Sequence, residues 1–338
     1  MRNVTDTKSK SVLVTGGAGY IGSHVVQQLA AAGHRVIVLD NLSTGFRESV
    51  LAGKLIIGDV GDRALVTRIL RENHIDSVMH FAAHTIVPES MLNPLKYYAN
   101  NTTTTATLLG CCAVAGVRHF IFSSTAAVYG EPTGGEASED TPAAPINPYG
   151  RSKLASEWIL RDVAAATDLR YVVLRYFNVA GSDPRSRIGQ STLNATLLVK
   201  VACEAALGIR DAVSIFGVDY PTRDGTGVRD YIHVEDLAQA HLEALDYLTS
   251  NGPSETLNCG YGHGYSVREV IDAVERAVNH RVPTVERDRR PGDPATLIAR
   301  ADKIRQVLDW QPCFADIDKI VQTSLAWERK LLESRNTA

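Results

Sequence analysis

The 338-residue chain carries 35 lysines and arginines against 38 aspartates and glutamates, and its net charge of -3 argues against a nucleic-acid-binding protein, which needs a basic excess. Hydrophobic residues make up 44% and charged residues 22% of the chain, as in globular proteins, and the length favours one large domain with a smaller partner. Apolar runs stay below the roughly 18 residues of a membrane span, and the polar segment 1–10 predicts a disordered tail rather than a signal peptide.

In the first half of the chain, short β-branched runs alternate with longer helical stretches. The sequence predicts strands over residues 11–15, 35–39, 55–57, 77–80, 119–122 and 170–175. It predicts helices over residues 20–32, 62–72, 94–115 and 149–166. Strands that alternate with helices indicate a parallel sheet covered by helices on both faces.

Beyond about residue 178, loops lengthen and Gly, Pro and Arg become frequent. Helices are predicted over residues 195–207, 234–247 and 266–278, and the last begins with a capping box formed by Ser266 and Glu269. We expect residues 11–178 to form the first domain. We expect residues 179–338 to form a smaller, mixed α/β substrate-binding lobe that can lend a strand to the main sheet.

A glycine-rich turn, GGAGYIG at residues 16–22, follows the first predicted strand and opens the first predicted helix. Glycines allow a tight turn and close backbone approach, and the helix N-terminus offers free N–H groups to a pyrophosphate. The next strand is followed by Asp40, where a carboxylate would bind the adenosine ribose hydroxyls and repel the 2′-phosphate of NADP. This context predicts an NAD-binding, Rossmann-like doubly wound sheet. The competing interpretation is a glycine-rich turn with an incidental acid.

Tyr149 and Lys153 are four residues apart, so their side chains share one face of the predicted helix 149–166. A tyrosine, with its ordinary pKa of about 10, needs nearby positive charge to act as a base, and Lys153 and the nicotinium ring of NAD+ can supply it. The tripeptide Ser123-Ser124-Thr125 follows a predicted strand at the edge where parallel sheets bind ligands, and it offers a hydroxyl to a substrate oxygen. The alternatives are an ordinary surface pair and a polar cluster that satisfies strand-end backbone groups.

Five cysteines are present, an odd number without a C-x-x-C pair, which argues against a disulfide framework and a zinc site. We therefore predict buried thiols in a reducing cytoplasm and no metal. They are Cys111, Cys112, Cys203, Cys259 and Cys313.

Several longer stretches carry a resemblance that covers residues 11–330. They are VTGGAGYIGSH, VLDNLSTG, HFAA, FIFSSTAAVYG, NPYGRSK, LRYFNVAG, IFGVDYPTRDGTGVRDYIHVEDLA and RRPGD. On these motifs the chain resembles the extended short-chain dehydrogenase/reductases, and most closely the UDP-glucose (UDP-galactose) 4-epimerases. The resemblance implies an NAD-dependent isomerase of UDP-sugars, and a homodimer that associates through the predicted helices 94–115 and 149–166.

The resemblance also implies roles for individual residues. Contacts to NAD are implied for Gly16, Gly19, Tyr20, Ile21, Gly22, Asp40, Asn41, Ser43, Asp59, Val60, Phe81, Ala82, Asn100, Ser123, Tyr149, Lys153, Tyr176 and Phe177. The implied catalytic set is Thr125, Tyr149 and Lys153. Contacts to the UDP-sugar are implied for Thr125, Asn178, Phe216, Arg229, Arg290, Asp293 and Leu297. Arginines can pair diphosphate oxygens bidentately, although the cluster around Arg290 would also suit a solvated charged face.

Three positions qualify this resemblance. His84-Thr85 stands where many epimerases have a lysine that reaches the cofactor ribose, which would weaken cofactor retention. Leu197 stands where an asparagine often helps to hold the substrate. Leu297 is similar in position to the family's sugar-pocket gatekeeper, and its size favours UDP-glucose and UDP-galactose over N-acetylated sugars.

The implied reaction removes a hydride from C4 of the sugar, forms a 4-keto intermediate and returns the hydride to the opposite face. A 4,6-dehydratase would need an acid/base pair after Thr125, but Ala126 and Ala127 follow it. A 4-epimerase or decarboxylase acting on UDP-glucuronate or a UDP-pentose stays an alternative. So does a non-catalytic NAD-binding sensor, although such proteins typically lose the tyrosine or the lysine.

Overall fold

The computed structural model describes residues 9–192 and 195–336, so residues 1–8 of the predicted tail lie outside the described residues. The strands are β1 (Ser11–Thr15), β2 (Arg35–Asp40), β3 (Lys54–Ile57), β4 (Ser77–His80), β5 (His119–Ser123), β6 (Glu136–Ala137), β7 (Arg170–Tyr176), β8 (Asn178–Ala180), β9 (Val213–Phe216), β10 (Val228–His233), β11 (Glu255–Cys259), β12 (Gly264–Ser266), β13 (Thr284–Arg287) and β14 (Thr296–Ala299). The α-helices are α1 (Tyr20–Ala31), α2 (Arg63–Glu72), α3 (Val87–Leu92), α4 (Pro94–Tyr97), α5 (Thr104–Ala115), α6 (Pro148–Ala166), α7 (Leu198–Ala206), α8 (Val234–Thr249), α9 (Val267–Val278), α10 (Asp302–Leu308) and α11 (Ile317–Asn336).

Within the described residues, seven parallel strands form the larger sheet in the order β11-β7-β5-β4-β1-β2-β3. The continuous apolar runs of β1 and β5 are buried at every position, as expected for central parallel strands covered on both faces. Helices α1 and α8 cover one face, with Leu29 and Leu248 in that core. Helices α2, α5 and α6 cover the other, with Leu108 and Leu160. The predicted α/β doubly wound sheet is confirmed.

A second unit lies beside the carboxyl ends of the larger sheet. Its main sheet runs β12-β10-β14-β6, β8 also pairs with β10, and β9 pairs separately with β13. Helices α7, α9 and α11 pack together over a third core that includes Val199, Val274 and Leu325. This is the smaller mixed α/β lobe expected from the sequence.

The chain returns to the larger sheet after residue 178, because α8 packs on α1 and β11 forms the edge strand beside β7. The lent strand expected from the sequence is therefore β11. The layer built on the larger sheet therefore includes this later segment in addition to residues 11–178.

Two predicted helices needed correction. The helix predicted over residues 94–115 is divided by a π-helical turn, Tyr98–Thr103. Threonines within residues 94–115 donate hydrogen bonds to backbone carbonyls one turn earlier. For example, Thr105 Oγ1 donates to the Asn101 carbonyl at 2.5 Å, and such bonds compete with regular helix geometry. The helix predicted over 195–207 begins at Leu198, because Leu197 is extended. Among the described residues, helices that could span a membrane are absent.

Candidate active site

A cavity of about 400 Å³ runs along the carboxyl ends of β1, β2, β4, β5 and β7, and the second unit closes its far side. Most of the site residues predicted from the sequence line it. They are Gly16, Gly19, Tyr20, Ile21, Gly22, Asp40, Asn41, Ser43, Asp59, Val60, Phe81, Ala82, Asn100, Thr125, Tyr149, Tyr176, Phe177, Asn178, Arg229, Asp293 and Leu297. Of the described residues predicted for the site, Ser123, Lys153, Phe216 and Arg290 lie outside this lining.

The glycine-rich turn closes tightly against neighbouring backbone. Gly16 has a φ of +72°, and a Cβ atom there would lie 2.6 Å from the backbone nitrogen of Ala82. A Cβ atom on Gly22 would lie 2.3 Å from the carbonyl oxygen of Gly16. Helix α1 begins directly after Gly19, so its first N–H groups and its positive dipole end are at the cavity. The turn can therefore hold an anionic pyrophosphate.

Acidic side chains mark the end of the cavity beside β2. Asp40 is buried, and its two carboxylate oxygens accept the N–H groups of Ala18 at 2.9 Å and Leu42 at 2.8 Å. Asn41 donates to the carboxylate of Asp59 at 3.1 Å. These carboxylates lie where a ribose with free hydroxyls would be accepted and a phosphate group on it would be repelled.

Tyr149 lies in the first turn of α6, with its hydroxyl at the cavity. Asn147 caps this helix by accepting the N–H of Gly150 at 2.8 Å, and Pro148 begins it. Burial raises the pKa of Tyr149, while its hydrogen bond with Thr125 opposes the rise. Thr125 is itself fixed, because its Oγ1 accepts the N–H of Ala127 at 3.1 Å. Two hydroxyls therefore meet where a sugar oxygen could be deprotonated.

Lys153 lies behind this pair. Its side chain is 3% exposed, its Nζ donates to the Ser123 carbonyl at 2.8 Å, and it lies 4.8 Å from the centre of the Phe122 ring. Burial lowers the pKa of Lys153 to about 7, and Glu157 acts in the opposite direction. Lys153 is thus a buried amine whose pKa is close to neutral pH, and it lies one turn along α6 from Tyr149.

The second unit contributes cationic and apolar groups. Arg229 is half-buried in the cavity wall and donates to the carbonyl of Val228 at 2.9 Å, and burial lowers its pKa. Arg290 pairs with Asp293 at 2.8 Å and lies 4.5 Å from the centre of the Phe216 ring. Arg229 therefore lies in the cavity wall, and Arg290 lies next to it through its pair with Asp293, which also lines the cavity; guanidinium groups of this kind can pair a diphosphate.

Comparisons with known proteins agree with this geometry. Residues 12–260 match the model of the NAD dependent epimerase/dehydratase family. The chain belongs to this family. It is 54% identical over 327 residues to a UDP-glucose 4-epimerase of Azospirillum brasilense, covering 96% of this chain and 94% of that protein. Its structure is similar to that of the Bifidobacterium longum UDP-glucose 4-epimerase in complex with NAD+ and UDP, with a TM-score of 0.91. The two sequences are 40% identical, and the match covers 95% of this chain and 98% of that one. It is also similar to the UDP-Glc/GlcNAc 4-epimerase of Campylobacter jejuni, with a TM-score of 0.83, 47% identity and coverage of 95% and 100%.

This family member has further cavity residues that were not assigned roles from the sequence. His84, Thr85 and Leu197, which depart from the resemblance, all line the cavity. Gln190 and Thr192 line it from the long segment between β8 and α7, where the sequence has no periodicity to indicate them. Asn147 and Gly292 could have been suspected, since they lie next to the motifs that carry Tyr149 and Asp293.

Proposed function

We propose that this chain is a UDP-glucose 4-epimerase that retains NAD and interconverts UDP-glucose and UDP-galactose. The observation that carries the proposal is that Thr125 and Tyr149 line the same cavity as the glycine-rich turn and Arg229. The curated relative at 54% identity over nearly the whole chain supports the same activity.

The residues present suit NAD. Gly16 and Gly22 let the turn close tightly against neighbouring backbone, which leaves the N-terminus of α1 at the cavity, where it can hold a pyrophosphate. Asp40 would accept the adenosine ribose hydroxyls, which favours NAD over NADP. When bound, the nicotinamide ring supplies a reversible acceptor for the hydride of the sugar C4.

The protein supplies the proton chemistry. Tyr149 takes the proton of the sugar 4-hydroxyl, and Thr125 orients that oxygen through the bond that the two side chains already share. Because burial raises the pKa of Tyr149, the phenolate needs positive charge nearby, and Lys153 carries that charge while it is protonated. Proton return by Tyr149 completes the turnover after the 4-keto sugar has presented its other face.

The nucleotide must stay bound while the sugar turns. Arg229 and Arg290 anchor the diphosphate, and Asn178 and Asp293 flank it. Binding energy placed on the diphosphate leaves the sugar free to rotate. Leu297 is 7% exposed in the cavity wall, and its bulk disfavours an N-acetyl group on the sugar.

The protein is further proposed to act in the cytoplasm as a homodimer. Exposed apolar side chains occur on the helices expected to associate, with Leu95 on α4 at 77%, Val114 on α5 at 68% and Trp158 on α6 at 56% exposure. A monomer would leave this apolar surface in water.

A coupled assay that converts UDP-galactose to UDP-glucose without added NAD tests the proposal. Tyr149→Phe should lower kcat at least about 100-fold while bound dinucleotide is retained. Tyr247→Phe is a matched control, since Tyr247 lies on α8 outside the cavity lining. Near-normal turnover by folded, NAD-loaded Tyr149→Phe would refute the mechanism. Parallel assays with UDP-glucuronate, a UDP-pentose and UDP-N-acetylglucosamine separate the alternative substrates.

A further inference from the structure

Glu157 continues the catalytic face of α6. It lies one helical turn beyond Lys153, as Lys153 lies one turn beyond Tyr149. Its side chain is 0% exposed and pairs with Arg175 of β7, whose Nε and Nη2 atoms donate at 3.0 and 2.6 Å. This bidentate pair holds the buried carboxylate in one orientation.

The same carboxylate holds the segment that carries the catalytic hydroxyl. Glu157 Oε1 accepts the hydroxyl of Ser124 at 2.6 Å. Ser124 stands between Ser123, whose carbonyl oxygen accepts from Lys153, and Thr125, whose hydroxyl bonds Tyr149. The Glu157 carboxylate therefore fixes Ser124, the middle residue of the tripeptide 123–125. The two ends of this tripeptide contact Lys153 and Tyr149.

Arg175 extends this support away from the cavity. Its Nη1 donates to the Tyr129 hydroxyl at 3.0 Å, and that hydroxyl donates to Asn258 of β11 at 2.6 Å. A buried ion pair adds little net stability compared with well-packed apolar residues. It does, however, define one arrangement of the groups that it contacts, which suits a role in placing the tripeptide 123–125.

We propose that Glu157, held by Arg175, is a positioning residue for the reaction: it fixes the tripeptide 123–125 through Ser124 and places its carboxylate one helical turn from Lys153. Its catalytic consequence rests on the proposed epimerase function. Burial lowers the pKa of Lys153 to about 7 and Glu157 raises it, so loss of the carboxylate should move the lysine towards its neutral form at physiological pH.

Three other titratable groups near Lys153 and Tyr149 are neutral at pH 7. His80 of β4 is neutral at pH 7, because burial and the nearby Lys153 lower its pKa to about 3. Tyr176 of β7 and Tyr97 of α4 have raised pKa values, mainly through burial, and are also neutral.

The test compares three variants of the NAD-loaded protein by two measurements. The first is a pH titration of the Lys153 side chain by NMR with [13Cε]lysine, assigned with Lys153→Arg. The second is the pH profile of kcat. Glu157→Gln should lower the midpoint of the Lys153 titration, and the alkaline limb of the profile, by about one pH unit. Ser124→Ala keeps the anion, so it should leave that midpoint unchanged while kcat falls about tenfold.

Arg161→Ala is the matched control. Arg161 is an exposed partner of the same carboxylate, at 3.4 Å, and its removal should change neither measurement. If Glu157→Gln fails to fold because it strands Arg175, the double variant Glu157→Gln/Arg175→Met replaces it; because a cation is removed together with the anion, its shift should have the same direction but be smaller. A folded variant lacking the carboxylate with wild-type lysine titration, or Ser124→Ala with wild-type kcat, would overturn the proposal. The NMR titration uses no UDP-sugar, so it decides the electrostatic role even if the wild-type protein does not epimerise UDP-galactose.

Discussion

Replacement of Asp40 by alanine would remove the group that ties the dinucleotide turn to the end of β2. Asp40 is 7% exposed, and its oxygens accept the N–H groups of Ala18 at 2.9 Å and Leu42 at 2.8 Å. Ala18 belongs to the glycine-rich turn. The carboxylate therefore stabilises the turn before any cofactor is bound.

The magnitude follows from these two contacts. A hydrogen bond to a charged group contributes about 1.5–3 kcal/mol, so two of them correspond to about 3–6 kcal/mol. Water that enters from the adjoining cavity can satisfy part of the exposed backbone. We therefore expect Asp40→Ala to lower the free energy of unfolding by about 3 kcal/mol, near the lower bound. Asp40→Asn keeps one acceptor oxygen and should lose roughly half as much.

Urea denaturation of the dinucleotide-free protein measures this loss directly. Asp272→Ala is the control, because Asp272 is exposed on α9. The amount of dinucleotide released by denaturation should also fall in Asp40→Ala. If the stability of Asp40→Ala equals that of Asp272→Ala, the carboxylate does not hold the turn and our account of this end of the site is incorrect.

Three further outcomes are expected. His241 is fully buried, and burial lowers its pKa to about 4. The unfolded chain therefore takes up the proton at a higher pH than the folded protein, and the free energy of unfolding decreases as pH falls below about 6.5. Between pH 7 and 5, urea denaturation should show that His241→Leu loses about 2 kcal/mol less of this free energy than the wild type. Gly22→Ala should abolish dinucleotide retention, because its Cβ would meet the Gly16 carbonyl. Gly110→Ala is the control and should retain the dinucleotide, because a Cβ at this position of α5 makes only ordinary contacts. Equal dinucleotide content in the two variants would contradict the tight turn. Trp158→Glu should elute as a monomer in size-exclusion chromatography, and an unchanged elution volume would argue against the proposed α6 interface.

Much of the larger sheet follows from local sequence pattern. β1 and β5 are continuous apolar runs, and the strand predicted at 11–15 agrees with β1. The glycine-rich turn was predictable because its strand, helix and following acid are consecutive in the chain. The spacing of Tyr149 and Lys153 likewise placed both on one face of α6.

The second unit was harder to predict because its strands depend on distant partners. β13 is exposed at every position and pairs with β9, about 70 residues earlier in the chain. The contact of Lys153 with the cofactor stays a prediction; within the described residues its amine donates to the Ser123 carbonyl, a partner that the spacing of Tyr149 and Lys153 did not indicate. The contact between Glu157 and Arg175 joins a helix to a strand, and spacing along the chain gave no sign of it.

The position of β11 also constrains how the chain can acquire its structure during synthesis. Strand β7 stays an open edge, and α1 lacks its covering helix, until residues 234–259 have left the ribosome. A protein truncated near residue 178 would expose both surfaces and should aggregate rather than bind nucleotide. The nucleotide-binding half thus acquires its last strand only after about half of the chain beyond residue 178 has been made.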